Sequence, residues 1–201
     1  MIQLQLFAGT VTWIGAVVIV LAAVAVAILA IRLRQPALAL FGLLPVGFGI
    51  LALAFQVNVA DPPVLPAIVA LGLAALGILG GNPLTVWVLG RAAKGDVDSG
   101  THGGILVPAE TASGAKSATK TQEVLRGGTW IGYLERAAVI GAIVVGHFEI
   151  IAAVIAIKGL GRFSELDAPE ARERFIIGTL VSMIWAALCG ALIVLPAVFS
   201  S

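Results

Sequence analysis

The residues best suited to chemistry lie inside an apolar segment that runs from Trp130 to Ile157. This segment holds four ionisable side chains, namely Glu135, Arg136, His147 and Glu149. An ionisable group at membrane depth costs several kcal/mol unless it is paired or hydrated. We therefore expect function to be located in this segment, although no motif in it specifies a reaction or a ligand.

The composition is that of an integral membrane protein. Of the 201 residues, 60% are hydrophobic and 11% are charged, whereas a soluble domain is roughly one-quarter charged. The apolar residues form runs of about twenty, the length that an α-helix needs to cross a hydrocarbon layer of roughly 30 Å. The sequence therefore predicts an all-α integral membrane protein with about five transmembrane helices in a lipid bilayer.

The apolar runs divide the chain into three parts. We predict a three-helix membrane region at 1–89, a mobile polar loop at 90–128, and a two-helix membrane region with a charged connecting loop at 129–201. The polar loop has too few large apolar residues to bury a core of its own. The first run is longer than the apolar core of a secretory signal, so we expect it to remain as an anchor. The five runs are 11–31, 37–57, 67–89, 130–157 and 175–199.

Basic residues predict the orientation in the membrane. With five spans, the two loops on one side carry Arg32, Arg34, Arg91, Lys94, Lys116, Lys120 and Arg126. That side is expected to be cytoplasmic and the N-terminus to be outside. Four further basic residues between 158 and 174 then fall on the opposite side, in conflict with the rule.

Two interpretations resolve this conflict. In the first, the loop is an exception and the fourth segment spans completely, because the roughly 21 residues after Arg136 are long enough to do so. In the second, the fourth segment re-enters, which leaves four spans with both ends outside. We take the complete span as the prediction and keep the re-entrant segment as the alternative.

Helical spacing places Glu135 and Glu149 on one face of the fourth segment, because fourteen residues are close to four turns. Small residues share this face and allow another helix to approach closely. Burial near the bilayer midplane favours a neutral carboxyl group, so Glu149 and His147 form a predicted ion or proton pathway. The alternative is structural, with Glu149 hydrogen-bonded to a neighbouring helix and fixing its packing.

The last run has a small residue at every fourth position from 178 to 190. This pattern is typical of a helix-packing face, and the fourth segment is its expected partner. Such packing would place Thr179 and Ser182 within hydrogen-bonding reach of Glu149. We therefore include both in the predicted pathway.

A predicted interfacial charge cluster comprises Glu135, Arg136, Lys158 and Arg162. The first two residues lie near interfacial aromatic side chains at the start of the fourth segment. We expect an interfacial anchor with a local ion pair to another element. In an alternative role, Arg136 would bind a lipid phosphate.

The third run contains a predicted helix break at Gly80, Gly81, Asn82 and Pro83. Two glycines lower helix stability and the proline removes a backbone donor. We expect either a kink or the junction of two half-helices, and exposed half-helix ends often build ion or substrate sites. The plain alternative is a helix that ends here.

Other classes of function have little support in the sequence. The two histidines, His102 and His147, do not form a cluster with metal-ligand spacing, so neither a metal nor a cofactor is expected. No catalytic constellation is found, and the one approximation to a phosphate-binding loop lacks the required glycines. A net charge of +1 gives no case for nucleic-acid binding.

The C-terminal part of the chain resembles an uncharacterised family of bacterial multi-pass membrane proteins. The resemblance covers about a third of the chain, and Gly159 stands where the family has a serine. It is carried by 128–136 (GTWIGYLER), 156–158, Arg162, Phe163, 177–180 and Ser182. It implies a bacterial membrane protein without a known activity. It also implies that six residues act together at one membrane face: Glu135, Arg136, Lys158, Arg162, Gly178 and Thr179.

The leading hypothesis is passage or coupling of a small ion or proton through a helix bundle, as a homo-oligomer, in the bacterial cytoplasmic membrane. The competing hypothesis is a non-catalytic subunit or scaffold that docks a larger partner complex. A water-accessible cavity at Glu149 would favour the first. A dry Glu149 bonded to Thr179 or Ser182 would favour the second.

Overall fold

The computed structural model describes residues 2–55, 64–92, 105–107, 122–124, 128–162 and 169–199. Its elements are α1 (Ile2–Leu33), a 3-10 helix (Pro36–Gly42), α2 (Leu43–Ala54), α3 (Leu65–Ala92), β1 (Ile105–Val107), β2 (Gln122–Val124), α4 (Gly128–Val145), α5 (Glu149–Arg162) and α6 (Pro169–Phe199). Strands β1 and β2 pair antiparallel. Apart from these strands, the predicted mobile loop between α3 and α4 lies outside the described residues.

Five helical segments are long and apolar enough to cross a membrane. They are Phe7–Leu33, Pro36–Ala54, Leu65–Ala92, Gly128–Val145 and Ala171–Leu195. The prediction of an all-α multi-pass membrane protein is therefore confirmed. The remaining α-helix, α5, has 14 residues and is shorter than these spans.

Helix α1 ends at a residue with left-handed backbone geometry. Arg34 has a φ of 54°, and the N–H of Gln35 donates to the carbonyl of Ala30 at 3.0 Å. The N–H of Arg34 donates to the carbonyl of Ile31 at 3.4 Å, which completes a Schellman motif. Pro36 then begins the 3-10 helix, so the chain reverses within a few residues.

Helix α3 lies at the centre of the bundle and packs against α1, α4 and α6. The side chain of Leu76 is fully buried, and its carbonyl accepts the indole N–H of Trp185 at 3.2 Å. At the next residue, a Cβ atom on Gly77 would lie 2.6 Å from Ile140 Cδ1 and 2.9 Å from Cys189 Cβ. Glycine at this position therefore allows α3 to approach both α4 and α6 closely.

Helix α3 continues without interruption past Pro83, so neither a junction of two half-helices nor a helix end is found there, and the predicted kink stays a prediction. The predicted break comprised Gly80, Gly81, Asn82 and Pro83. Large side chains fill the space beside both glycines: Trp185 lies beside Gly80 and Arg136 lies beside Gly81. Packing by neighbouring helices stabilises this stretch in spite of its low intrinsic helix propensity.

The prediction that the fourth segment is one helix is also wrong, because α4 and α5 are separated by a tight turn. Gly146 has a φ of +76°, in the left-handed region that favours glycine. The N–H of His147 donates to the carbonyl of Ala142 at 2.8 Å, and that of Gly146 to the carbonyl of Ile143 at 3.2 Å. These two bonds form a second Schellman motif, which ends α4 inside the apolar run.

Helices α4 and α6 are parallel neighbours. Arg136 bonds to Ser182, and two turns later Ile143 Cδ1 lies 3.0 Å from where a Cβ on Gly190 would be. Contacts therefore advance in the same direction along both helices. The prediction that the fourth segment packs against the last one is confirmed for α4.

Helix α5 returns the chain alongside α4. Lys158, near the end of α5, pairs with Glu135 in the first half of α4, so the two helices are antiparallel. Helix α6 consequently begins at the end of the bundle where α4 begins. We refer to this end, where α1, α3 and α5 finish, as the basic end.

Replacing Gly146 with alanine should lower the free energy of unfolding by about 1–2 kcal/mol, since an L side chain is disfavoured in left-handed helical geometry. The measurement is thermal or denaturant unfolding of the purified protein in detergent. Gly141→Ala in α4 is the matched control, because a Cβ there meets nothing within 4 Å. Equal destabilisation by the two substitutions would contradict the special role of Gly146.

Candidate functional site

Arg136 lies near the middle of α4, as the ninth of its 18 residues, and is only 3% exposed. Its side chain enters the junction between α3, α4 and α6. Nε donates a hydrogen bond to the carbonyl of Ile78 at 2.7 Å, and Nη1 donates to Ser182 Oγ at 2.9 Å. The guanidinium group thus connects three membrane helices.

Two glycines create the space that the guanidinium group occupies. A Cβ atom on Gly81 would lie 2.5 Å from Arg136 Cδ and 2.8 Å from its Nε. On α4 itself, a Cβ on Gly132 would lie 3.2 Å from Nη1. Side chains on a helix point toward its N-terminus, so a residue four positions before Arg136 must be small.

Arg136 forms no ion pair with a described carboxylate, although Glu135 acts on its charge electrostatically. Glu135, its neighbour in sequence, pairs instead with Lys158. These two side chains are 10% and 15% exposed and neutralise each other. The junction therefore keeps one net positive charge.

Three hydrogen-bond donors at the junction have no acceptor within the described part of the chain. Arg136 Nη2 and Thr85 Oγ1 are closed to solvent and bond to nothing. Ser182 Oγ accepts an N–H from Arg136, so its own hydrogen remains available. Thr85 faces the same stretch of α6, since its Cγ2 lies 3.4 Å from where a Cβ on Gly178 would be.

The contacts of Arg136 offset a burial cost of comparable size. Two hydrogen bonds to a charged group contribute roughly 3–6 kcal/mol. The ring of Tyr133, with its centroid 5.4 Å from the guanidinium carbon, adds about 1–2 kcal/mol. Placing an arginine at the centre of a membrane helix costs from about 3 to more than 10 kcal/mol. The unused donors distinguish the junction from an ordinary packing contact.

Glu149 lies outside the bundle core, at the start of α5 and beyond the five candidate spans. Its side chain is 72% exposed, and Oε1 lies 2.6 Å from His147 Nδ1. Hydrogen bonds from its own backbone N–H and from the His147 ring lower the pKa of the Glu149 carboxyl group. The ionised form is therefore favoured, contrary to the neutral carboxyl group expected from burial.

The residues of the predicted ion pathway are not brought together. The turn at Gly146 removes the common face of Glu135 and Glu149, because that face required one continuous helix. Neither Thr179 nor Ser182 hydrogen-bonds to Glu149, and Ser182 contacts Arg136 instead. A role for these residues and His147 in ion passage stays a prediction.

The predicted charge cluster is divided between two faces of α4. Glu135 forms an ion pair with another element, through Lys158 of α5, which also lies 6.0 Å from the ring centroid of Phe175. Arg136 instead points into the junction between α3, α4 and α6. The side chain of Arg162 lies outside the described residues.

Sequence reasoning did not place Arg136 in the core. Trp130 and Tyr133 indicated an interface, and they do form an edge-to-face pair with centroids 5.9 Å apart. In the local sequence, the feature that indicated burial was Gly132, one turn before Arg136. A glycine at this position leaves space for the arginine side chain against α4. The role of Gly81 depends on how α3 packs against α4, so the local sequence could not predict it.

Comparisons with family models, with curated proteins and with solved structures found no match. The resemblance to a bacterial membrane family therefore stays a prediction. Within the described ranges, no group of three metal-binding side chains comes together.

Gly81→Ala should displace the guanidinium group and destabilise the protein by about 1–3 kcal/mol, because the added methyl group overpacks the junction. Unfolding in detergent measures this change. Gly90→Ala, also on α3, is the control, since a Cβ there meets nothing within 4 Å. A Gly81→Ala protein as stable as the control would show that Arg136 does not occupy this position.

Proposed function

We propose that this multi-pass membrane protein passes or couples a small ion through its helix bundle, with Arg136 as the charged group of the pathway. The observation that supports this function is a guanidinium group 3% exposed at a three-helix junction, with no ion-pair partner among the described residues. Ionisable residues that face a bundle interior commonly belong to ion or substrate pathways.

The position of Arg136 suits such a role. It lies near the middle of a candidate span and contacts two other spans, so a bound ion would sense the arrangement of α3, α4 and α6 together. A fixed charge in a medium of low dielectric constant acts strongly on nearby ions. Movement of one helix would therefore change the affinity for the ion, which is the physical basis of coupling.

We further propose that the basic end is cytoplasmic and that both chain termini lie outside. Eleven of the twelve Lys and Arg residues belong to the helix ends and connections at the basic end, with Arg136 as the exception. This distribution follows the positive-inside rule. Because α5 returns the chain, the basic residues from 158 to 174 no longer conflict with it. The resemblance in sequence supports a bacterial cytoplasmic membrane.

A second candidate function is that of a non-catalytic subunit that docks a partner helix. It is favoured by an open apolar groove between α2 and α6 on the outer surface of the bundle. The groove is lined by Ile50, Leu53, Leu188, Leu192 and Leu195 among others. Such a surface fits either lipid chains or an apolar helix of a partner or of a second copy.

Ion flux in liposomes tests the leading proposal. We expect purified wild-type protein to dissipate an imposed ion gradient, read with separate reporters for protons, potassium and chloride. Arg136→Gln should lower this flux at least tenfold, because it removes the buried charge. Arg32→Gln at the end of α1 should leave it unchanged, as should Glu149→Gln on the exposed turn.

Folding and reconstitution of each variant are checked by size-exclusion chromatography and protein content. An absence of flux of all three ions from folded wild-type protein would overturn the proposal and favour the docking subunit. Flux that is lost in Glu149→Gln but retained in Arg136→Gln would assign the pathway to the α4–α5 turn instead.

The orientation is tested by labelling single cysteines in intact cells with a membrane-impermeant maleimide. In a Cys189→Ala background, cysteines at position 3 and at position 201 should both be labelled from outside. A cysteine at position 93, just after α3, should be labelled only after the membrane is opened. Labelling of only one terminus from outside would contradict the return of the chain through α5.

A further inference from the structure

The junction of α3, α4 and α6 offers donors without acceptors. The Ile78 carbonyl accepts the N–H of Arg136 Nε, and Ser182 Oγ accepts that of Nη1. The unused groups are Arg136 Nη2, Thr85 Oγ1 and the hydroxyl hydrogen of Ser182. We refer to these three side chains as the donor junction.

We propose that the donor junction binds a small monovalent anion such as chloride. This inference rests on the proposed function, from which it takes the location of the ion. It adds the sign of the ion's charge and the size of the ion. Arg136 Nη2 and the hydroxyls of Thr85 and Ser182 would donate to the anion. Each of the three helices of the junction thus contributes one ligand.

The charge balance at the junction determines the sign of the charge that a bound ion would carry. Glu135 and Lys158 neutralise each other, so the +1 charge of Arg136 is not cancelled by any other described side chain. An anion would cancel it and would supply the acceptors that the three donors lack. A cation would neither cancel this charge nor accept hydrogen bonds from the donors, and the guanidinium group would repel it at short range.

The degree of burial of the free donors supports a bound ligand over an empty packing contact. Buried polar groups are nearly always hydrogen-bonded, and each unsatisfied one is destabilising. Here Arg136 is 3% exposed, and two buried atoms, its Nη2 and Thr85 Oγ1, have no partner. Thr85 lies on α3 one turn after Gly81, against which the arginine side chain packs. An unpaired atom on Arg136 alone would be a single exception, whereas unpaired donors on helices that meet at one junction are explained together by a shared acceptor.

Packing around the arginine determines the size. The spaces beside Gly81 and Gly132 are already filled by Arg136, and Nη2 is closed to solvent. A lipid headgroup or the carboxylate of a partner chain would need a wide opening between the helices. An ion of one to a few atoms requires only slight widening of the junction, so we assign the site to ions of that size.

The test is chloride binding by the full-length protein in nanodiscs, measured as excess line width of the chlorine-35 NMR signal in a gluconate buffer. We expect saturable broadening that bromide and nitrate reverse by competition. Thr85→Val should weaken binding about tenfold, because it removes one donor to a charged ligand while keeping the shape of the side chain. Arg136→Gln should abolish it.

Thr12→Val on α1 is the matched control. Thr12 is exposed and its hydroxyl bonds to the Ala8 carbonyl, away from the junction. Because Thr85 Oγ1 has no partner, Thr85→Val should fold at least as well as wild type, which keeps the test valid if Arg136→Gln is unstable. Unchanged binding in Thr12→Val and weakened binding in Thr85→Val would support the proposal.

Two outcomes would overturn the inference: no saturable broadening with folded wild-type protein, or broadening that Thr85→Val and Arg136→Gln both leave intact. Failure of the proposed function is distinguishable from either. Chloride binding without flux of any ion would support the anion site and contradict ion passage through the bundle. Flux of protons or potassium without chloride binding would support ion passage through the bundle and contradict the anion site.

Discussion

The arrangement of the bundle depends on how one buried guanidinium group is accommodated. Arg136 is held by a carbonyl of α3 and a hydroxyl of α6, so these helices cannot separate without exposing a charge to lipid. Its volume requires glycine at positions 81 and 132, which brings the backbones of α3 and α4 close to it. A residue that is costly to bury therefore determines how three helices meet.

The course of the chain follows from the same contacts. Arg136 contacts Ser182, and about two turns later Ile143 contacts Gly190, so α4 and α6 are parallel and the chain must return between them. Helix α5 provides this return, and Gly146 makes the turn possible at the end of α4. The pair of Glu135 and Lys158 then holds α5 against α4. One consequence is that the basic residues after α5 join those after α1 and α3.

The sequence was sufficient to predict the spans and one helix contact, but not the site. Twenty-residue apolar runs predict membrane helices because length and hydropathy alone decide insertion. Gly146 was ambiguous, since a glycine in an apolar run either packs against a helix or ends one. The stretch from Gly80 to Pro83 predicted a kink or a junction of two half-helices, and packing by neighbouring helices keeps α3 continuous there. The burial of Arg136 depends on Gly81 and Ser182, which are distant in sequence, and local aromatic residues indicated an interface instead.

A crystal structure of the protein in a lipidic phase, grown with bromide and recorded at the bromine absorption edge, tests the central claim most directly. The account predicts Arg136 between Ile78 and Ser182, with an anomalous peak in contact with its Nη2 and with Thr85 Oγ1. An Arg136 side chain that faces lipid, or one paired with a carboxylate and without a bromide peak, would contradict it.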